Sequence, residues 1–445
     1  MTNRWLALAV AALIGAGLLA ALAAMSRTPG LQSLFPEGDY LRIALVGHVI
    51  LAVAVWFLAF QAVLWSLAVK ERGDSVLWRT GFRTAAVGTA AVMLAAFLGR
   101  GEPVLANYVP LLTHPLFIGG LLAFGIGIGL TAGATVAAVL RSPRPIHPML
   151  FGAGITSGLV LLSFVCFGLA AVPLISASVS LPAPHAVESL MWGGGHVLQF
   201  ANTAAMVLAW FMLAEVTLKR PVIQERWAKR LLALYGVAAA PAPFLYLTGF
   251  SRAGFTFLMA FGLGPITLIV MIVILREMWR HRVRLPWGDP RFAGLFLSVA
   301  VFGLGGLVAL GIHESSVIIP AHYHGAIGGV TLAFMGFSYH LLTAAGREAW
   351  SARLARLQPY LYGIGQSLFV LGLFWAGARD VPRKTFGSAQ MLQDLHQTAG
   401  MGLMGLGGLV AIFGGVAFIL NLVPFLLRRE HGSLARLPLP YEAPH

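Results

Sequence analysis

Twelve apolar stretches separated by short, mostly basic connections leave this chain very few ways to fold. They lie near residues 5–25, 41–69, 84–99, 116–140, 153–176, 187–216, 231–250, 253–275, 292–312, 319–344, 358–377 and 397–427. Each is about long enough to cross roughly 30 Å of hydrocarbon as a helix. A helix also satisfies its backbone polar groups within one segment, which lipid cannot do for it. The expected fold is therefore all-α, a polytopic membrane protein with twelve transmembrane helices and one membrane domain over residues 1–445. Only 10% of the residues are charged and the mean hydropathy is +0.82, too apolar for a water-facing surface of this size. Two boundaries are narrow, one at Gly249 to Arg252 and one at the stretch holding His313 and Glu314. The first apolar run follows Arg4 and is about twice the length of a signal-peptide core, so it reads as a retained helix.

The net charge of +14 would point to nucleic acid in a soluble protein. Here the bases lie between the apolar runs, so they report topology, the partner surface is the lipid bilayer, and no nucleic acid is expected. With the N-terminus inside, 23 of the 30 Lys and Arg residues fall on the inner side. That asymmetry fits a bacterial or archaeal cytoplasmic membrane with both termini cytoplasmic. The lone Cys166 excludes an intrachain disulfide, a Cys-x-x-Cys-His haem attachment and a self-contained four-cysteine cluster.

Histidine placement is the most informative chemical signal. His48, His196, His322 and His324 fall on the second, sixth and tenth segments, each counted from the outside end. At about 1.5 Å per residue they share a level in the outer third of the membrane. Three helices bringing imidazole to one depth is the arrangement a transmembrane metallocentre needs. His322 and His324 point about 200° apart on a helix, so they would serve two cofactors, one on each side. Haem is the expected group, because imidazole is a common axial ligand of its iron. The plainer alternative is that these rings pack by hydrogen bonding between helices, yet polar groups inside a membrane are functional suspects by default.

Several motifs resemble subunit I of the haem–copper oxidase superfamily, closest to its B-class and nitric oxide reductase branches. They are Leu105-Ala106-Asn107-Tyr108-Val109-Pro110 with Thr113-His114-Pro115, Trp192 through His196, Leu285-Pro286-Trp287, His313 ahead of His322-Tyr323-His324, and Val381-Pro382-Arg383-Lys384. The resemblance implies that His48 and His324 are the axial ligands of a low-spin haem and that His322 is the proximal ligand of a second haem. It implies that His313, Arg383 and Lys384 belong to the propionate region, and that His196 is the remaining member of a metal site and a potential distal ligand. Two haems, of the b type, are the expected cofactors.

The departures from that pattern shape the functional expectation. The family's adjacent copper-binding histidines fall on Leu245 and Tyr246, and its crosslinking tyrosine on Phe200. Copper is therefore not expected, and ordinary oxygen reduction is doubtful. The leading expectation is a transmembrane cytochrome b passing electrons between a quinone pool and another membrane or periplasmic redox subunit, cytochrome c-like or iron–sulfur. An altered terminal oxidase or nitric oxide reductase is the first alternative, with a haem-free transporter as the second.

Overall fold

The structure, a computed structural model, describes residues 1–34, 39–69, 75–176, 184–248, 251–312 and 316–427. Among them are twelve helices long and apolar enough to span a bilayer. They are α1 Thr2–Met25, α2 Tyr40–Val69, α3 Val76–Phe97, α4 Pro115–Leu140, α5 Pro148–Ser176, α6 Pro184–Leu218, α7 Glu225–Leu247, α8 Arg252–Arg280, α9 Pro290–Ala309, α10 Ile318–Ala344, α11 Ala352–Gly377 and α12 Leu395–Leu427. The chain is thus an all-α multi-pass membrane protein. His313 and Glu314 lie outside the described residues.

Helix limits differ from the apolar stretches where charged residues ride on a helix end. The third stretch is apolar from residue 84, yet α3 starts at Val76, capped by the Ser75 hydroxyl accepting the Trp78 N–H at 3.4 Å. Arg79 and Arg83 lie in its first turns, where long stems can follow the helix while their charges stay at the interface. Three helices change their winding. In α2, α-helix Asp39–Val49 passes into a π segment, Ile50–Val55, that begins two residues after His48. In α8, a π segment covers Leu258–Leu263. In α7, Pro241 has no N–H for the helical ladder, and the chain tightens into a 3₁₀ turn over Ala242–Leu247.

The contacts divide the chain into two compact units. The first includes Met1–Leu13 and Val49–Leu285, and the second includes Ile14–His48 and Pro286–Glu430. In the first unit, α3 and α4 touch backbone to backbone, so that a Cβ on Gly120 would lie 2.9 Å from Gly88 O. Two buried polar pairs join its helices: Gln61 Nε2 donates to Asn202 Oδ1 at 2.8 Å, and Trp65 Nε1 to Thr156 Oγ1 at 2.8 Å. In the second unit, α9 meets α10 at Gly305 and Gly325, and α11 meets α12 along glycines such as Gly372 and Gly400. Small residues let helices approach closely where lipid supplies no hydrophobic drive.

Burial ranks the helices in a way that bears on function. The most buried spans are α6 at 94%, α10 at 83% and α2 at 72%, while the next, α9, reaches 50%. These three carry the four histidines. Large apolar side chains such as Leu140 and Ile175 are exposed on other helices, as lipid-facing positions should be.

Candidate functional site

In the second unit, two imidazoles are held in the same way. His48 Nδ1 lies 3.0 Å from Ala16 O, and His322 Nδ1 lies 2.9 Å from Gly305 O. A carbonyl oxygen can only accept, so each Nδ1 carries the proton and each Nε2 presents a lone pair. This is the second-shell arrangement that fixes the tautomer and orientation of a coordinating histidine. His324 packs against the Phe369 ring of α11 at 4.4 Å between centroids and interacts electrostatically with His48. All three rings remain partly exposed although their helices are among the most buried.

Basic groups collect at the same end of this unit. Val317 N–H donates to Val381 O at 3.0 Å, and Ser316 bridges Pro382. These bonds pin the segment carrying Arg383 and Lys384 beside the start of α10. Arg27, on the connection between α1 and α2, stacks over Phe386 at 5.8 Å. Its Nε and one Nη are buried without a hydrogen-bond partner. Burial lowers its pKa to about 10, and it lies close enough to influence His324. A buried guanidinium with no carboxylate beside it among the described residues calls for an anion. Sequence reading did not single out Arg27; its only signal there was a charge directly after an apolar run.

In the first unit, His196 is enclosed quite differently. Its Nδ1 donates to Trp192 O at 2.7 Å, one turn back on α6, while its Nε2 lies 3.1 Å from the Tyr108 hydroxyl. With Nδ1 protonated, a neutral ring accepts at Nε2, so Tyr108 is the donor. Both nitrogens are engaged. The Tyr108, Trp192 and Phe255 rings surround it at 4.6, 4.8 and 5.9 Å.

Local structure puts Tyr108 there. A two-stranded ribbon, β1 Pro103–Val104 with β2 Leu111–Leu112, carries it with a φ of 64°. The Asn107 backbone N–H and side-chain amide both donate to the Glu188 carboxylate at 2.7 Å. The Gly193-Gly194-Gly195 run then has a packing explanation. A Cβ on Gly195 would meet Tyr108 Cβ at 2.5 Å, one on Gly194 would strike the Phe167 ring, and one on Gly193 would reach Phe255 at 2.5 Å. Replacing Tyr108 with Phe would leave a buried acceptor on His196 unpaired. The expected cost is about 1–3 kcal/mol, read as a lower unfolding midpoint in detergent; an unchanged midpoint would show that Nε2 has found another partner.

Residues 1–410 match the family described as cytochrome c and quinol oxidase polypeptide I. The chain belongs to that family. Its curated relatives include an uncharacterized protein of Rickettsia prowazekii, 27% identical over 94% of both chains. An uncharacterized protein of Aquifex aeolicus is 28% identical over 80% of this chain and 88% of its own. Cytochrome c oxidase subunit 1 of Thermus thermophilus is 32% identical over 35% of this chain and 30% of its own. Among solved structures, a heme–copper terminal oxidase dimer superposes with a TM-score of 0.81 at 18% identity, covering 100% of this chain and 87% of that one. This likeness shows that the twelve helices have the haem–copper oxidase subunit I fold.

Leu245 and Tyr246 stand at the positions that the resemblance assigns to two copper ligands. They lie on the 3₁₀ turn of α7 and pack around Cys166, Val197, Ala242 and Phe255. Phe200 is fully buried. Among the described residues, no three His, Cys, Asp or Glu side chains come together as a metal-binding group. The protein is a membrane subunit of a respiratory oxidoreductase family.

Proposed function

We propose that this chain is a haem-binding electron-transfer subunit of a respiratory redox complex, closest to the B-class and nitric oxide reductase branches and divergent from both. A low-spin haem b would be held by His48 and His324, and a second haem by His322. The observation that carries this reading is the shared tethering of His48 and His322, with Nδ1 bonded to a backbone carbonyl and Nε2 left as a lone pair. Arg27 supports it, since a buried unpaired cation fits a carboxylate-bearing macrocycle. Arg383 and Lys384 would serve the propionates as well, and His313 belongs to the same region by resemblance.

When bound, haem supplies reversible one-electron chemistry. The protein's own residues fix the imidazoles, keep them neutral and offset propionate charge. On the orientation favoured by the charge count, with both termini cytoplasmic, the histidines lie toward the outer side. Electrons would then pass between quinone and a membrane or periplasmic partner subunit, cytochrome c-like or iron–sulfur. The chain itself carries no Cys-x-x-Cys-His motif to act as one.

A gas reductase is the second reading, favoured by the family match. It would need His196 to present a nitrogen to a metal or to the second iron. The Tyr108 hydroxyl occupies that nitrogen, which favours electron transfer without gas turnover. Haem extraction, a metal count and reduced-minus-oxidised spectra with and without carbon monoxide test both readings. Two haems b, no stoichiometric copper and no carbon monoxide shift are expected. A carbon monoxide-reactive haem with a second metal would establish the reductase, and absence of haem would return the chain to the transporters.

A further inference from the structure

Coordinated imidazoles need an acceptor for the second ring nitrogen, and one of the three candidate haem ligands lacks a backbone acceptor. His48 uses Ala16 O and His322 uses Gly305 O. His324 makes no such bond; the polar side chain that interacts with it is Gln366 of α11. The Gln366 Oε1 is buried and has no partner in hydrogen-bond geometry. Its amide also interacts with Tyr362, which in turn meets Thr331. Tyr362 can accept from the amide NH₂, which leaves Oε1 free to accept.

We propose that Gln366 is the positioning residue of His324, its carboxamide oxygen accepting the Nδ1 proton when Nε2 is coordinated. The inference rests on the reading of His324 as an axial ligand. Two neighbours prepare the site. A Cβ on Gly328, one turn beyond His324, would lie 3.3 Å from Gln366 Cγ and 3.4 Å from its Oε1, so the glycine leaves that side chain its room. Phe369, one turn beyond Gln366, packs on the His324 ring and limits its rotation. One face of α11 thus supplies both the acceptor and the stop.

An acceptor on Nδ1 gives the ring more imidazolate character and favours the ferric state. A backbone carbonyl fixes that effect for His48, whereas a side chain on another helix makes it adjustable for His324. The test is a redox titration of the low-spin haem, with its electron paramagnetic resonance spectrum, in purified wild-type, Gln366→Leu and Gln366→Glu protein. Gln366→Leu should raise the midpoint potential and alter the low-spin signal, while Gln366→Glu, keeping an acceptor and adding charge, should lower the potential. Loss of the low-spin haem from the leucine variant with retention in the glutamate variant would support the same role. Wild-type potential and spectrum in both variants would overturn it. A wild-type protein without low-spin haem would instead overturn the reading on which the inference rests.

Discussion

Replacing His48 or His324 with leucine should each remove the same haem, taking the purified protein from about two haems to about one per chain. Both variants should lose the low-spin absorption bands and keep the second haem, because His322 has its own tether on Gly305 O. Two distant positions producing one spectroscopic loss would be hard to explain by misfolding. His340 provides the control: it lies near the opposite end of α10, has an unpartnered buried Nδ1, and has no part in the proposed haem site. His340→Leu should retain both haems. Glycine at position 48 adds a stricter check, since added imidazole can enter the vacated space and restore the low-spin bands. If His48 and His324 variants lose different haems, or neither, the assignment is wrong.

The sequence made the fold legible because lipid imposes a length and a polarity that soluble cores do not. It also led to the expectation of a shared histidine depth, since the rise per residue converts position into height. What it could not show was which atoms those rings would meet. Tyr108 reaches His196 across 88 positions of sequence. It does so through a ribbon and a left-handed φ that no hydropathy pattern reports. Gln366 is a neutral residue on an otherwise ordinary helix, and Arg27 looked like one more connection charge. The glycine run before His196 was readable as a motif, but its reason, room for aromatic rings from other segments, was not. The start of α3 at Val76 was hidden by Arg79 and Arg83, whose charges end an apolar stretch without ending a helix.

The helix crossing beneath His322 should be as sensitive as the ligand itself. A Cβ on Gly325 would stand 2.7 Å from Gly305 N and 3.2 Å from Val301 O, both backbone atoms. A side chain could swing aside, but these atoms move only if α9 and α10 separate. Overpacking of this kind costs about 1–3 kcal/mol. The same separation breaks the bond from His322 Nδ1 to Gly305 O, which has little slack at 2.9 Å. Losing that bond costs about another 0.5–1.5 kcal/mol, and it frees the ring to turn. Gly325→Val should therefore lower the unfolding midpoint and remove the second haem, while the haem at His48 and His324 is retained. Gly306→Val is the matched control, because a Cβ there meets nothing within 4 Å. It should keep both haems and a near-normal unfolding midpoint. Retention of both haems by Gly325→Val would mean that the α9–α10 contact does not position His322, and that the ring is oriented by the porphyrin side of the site instead.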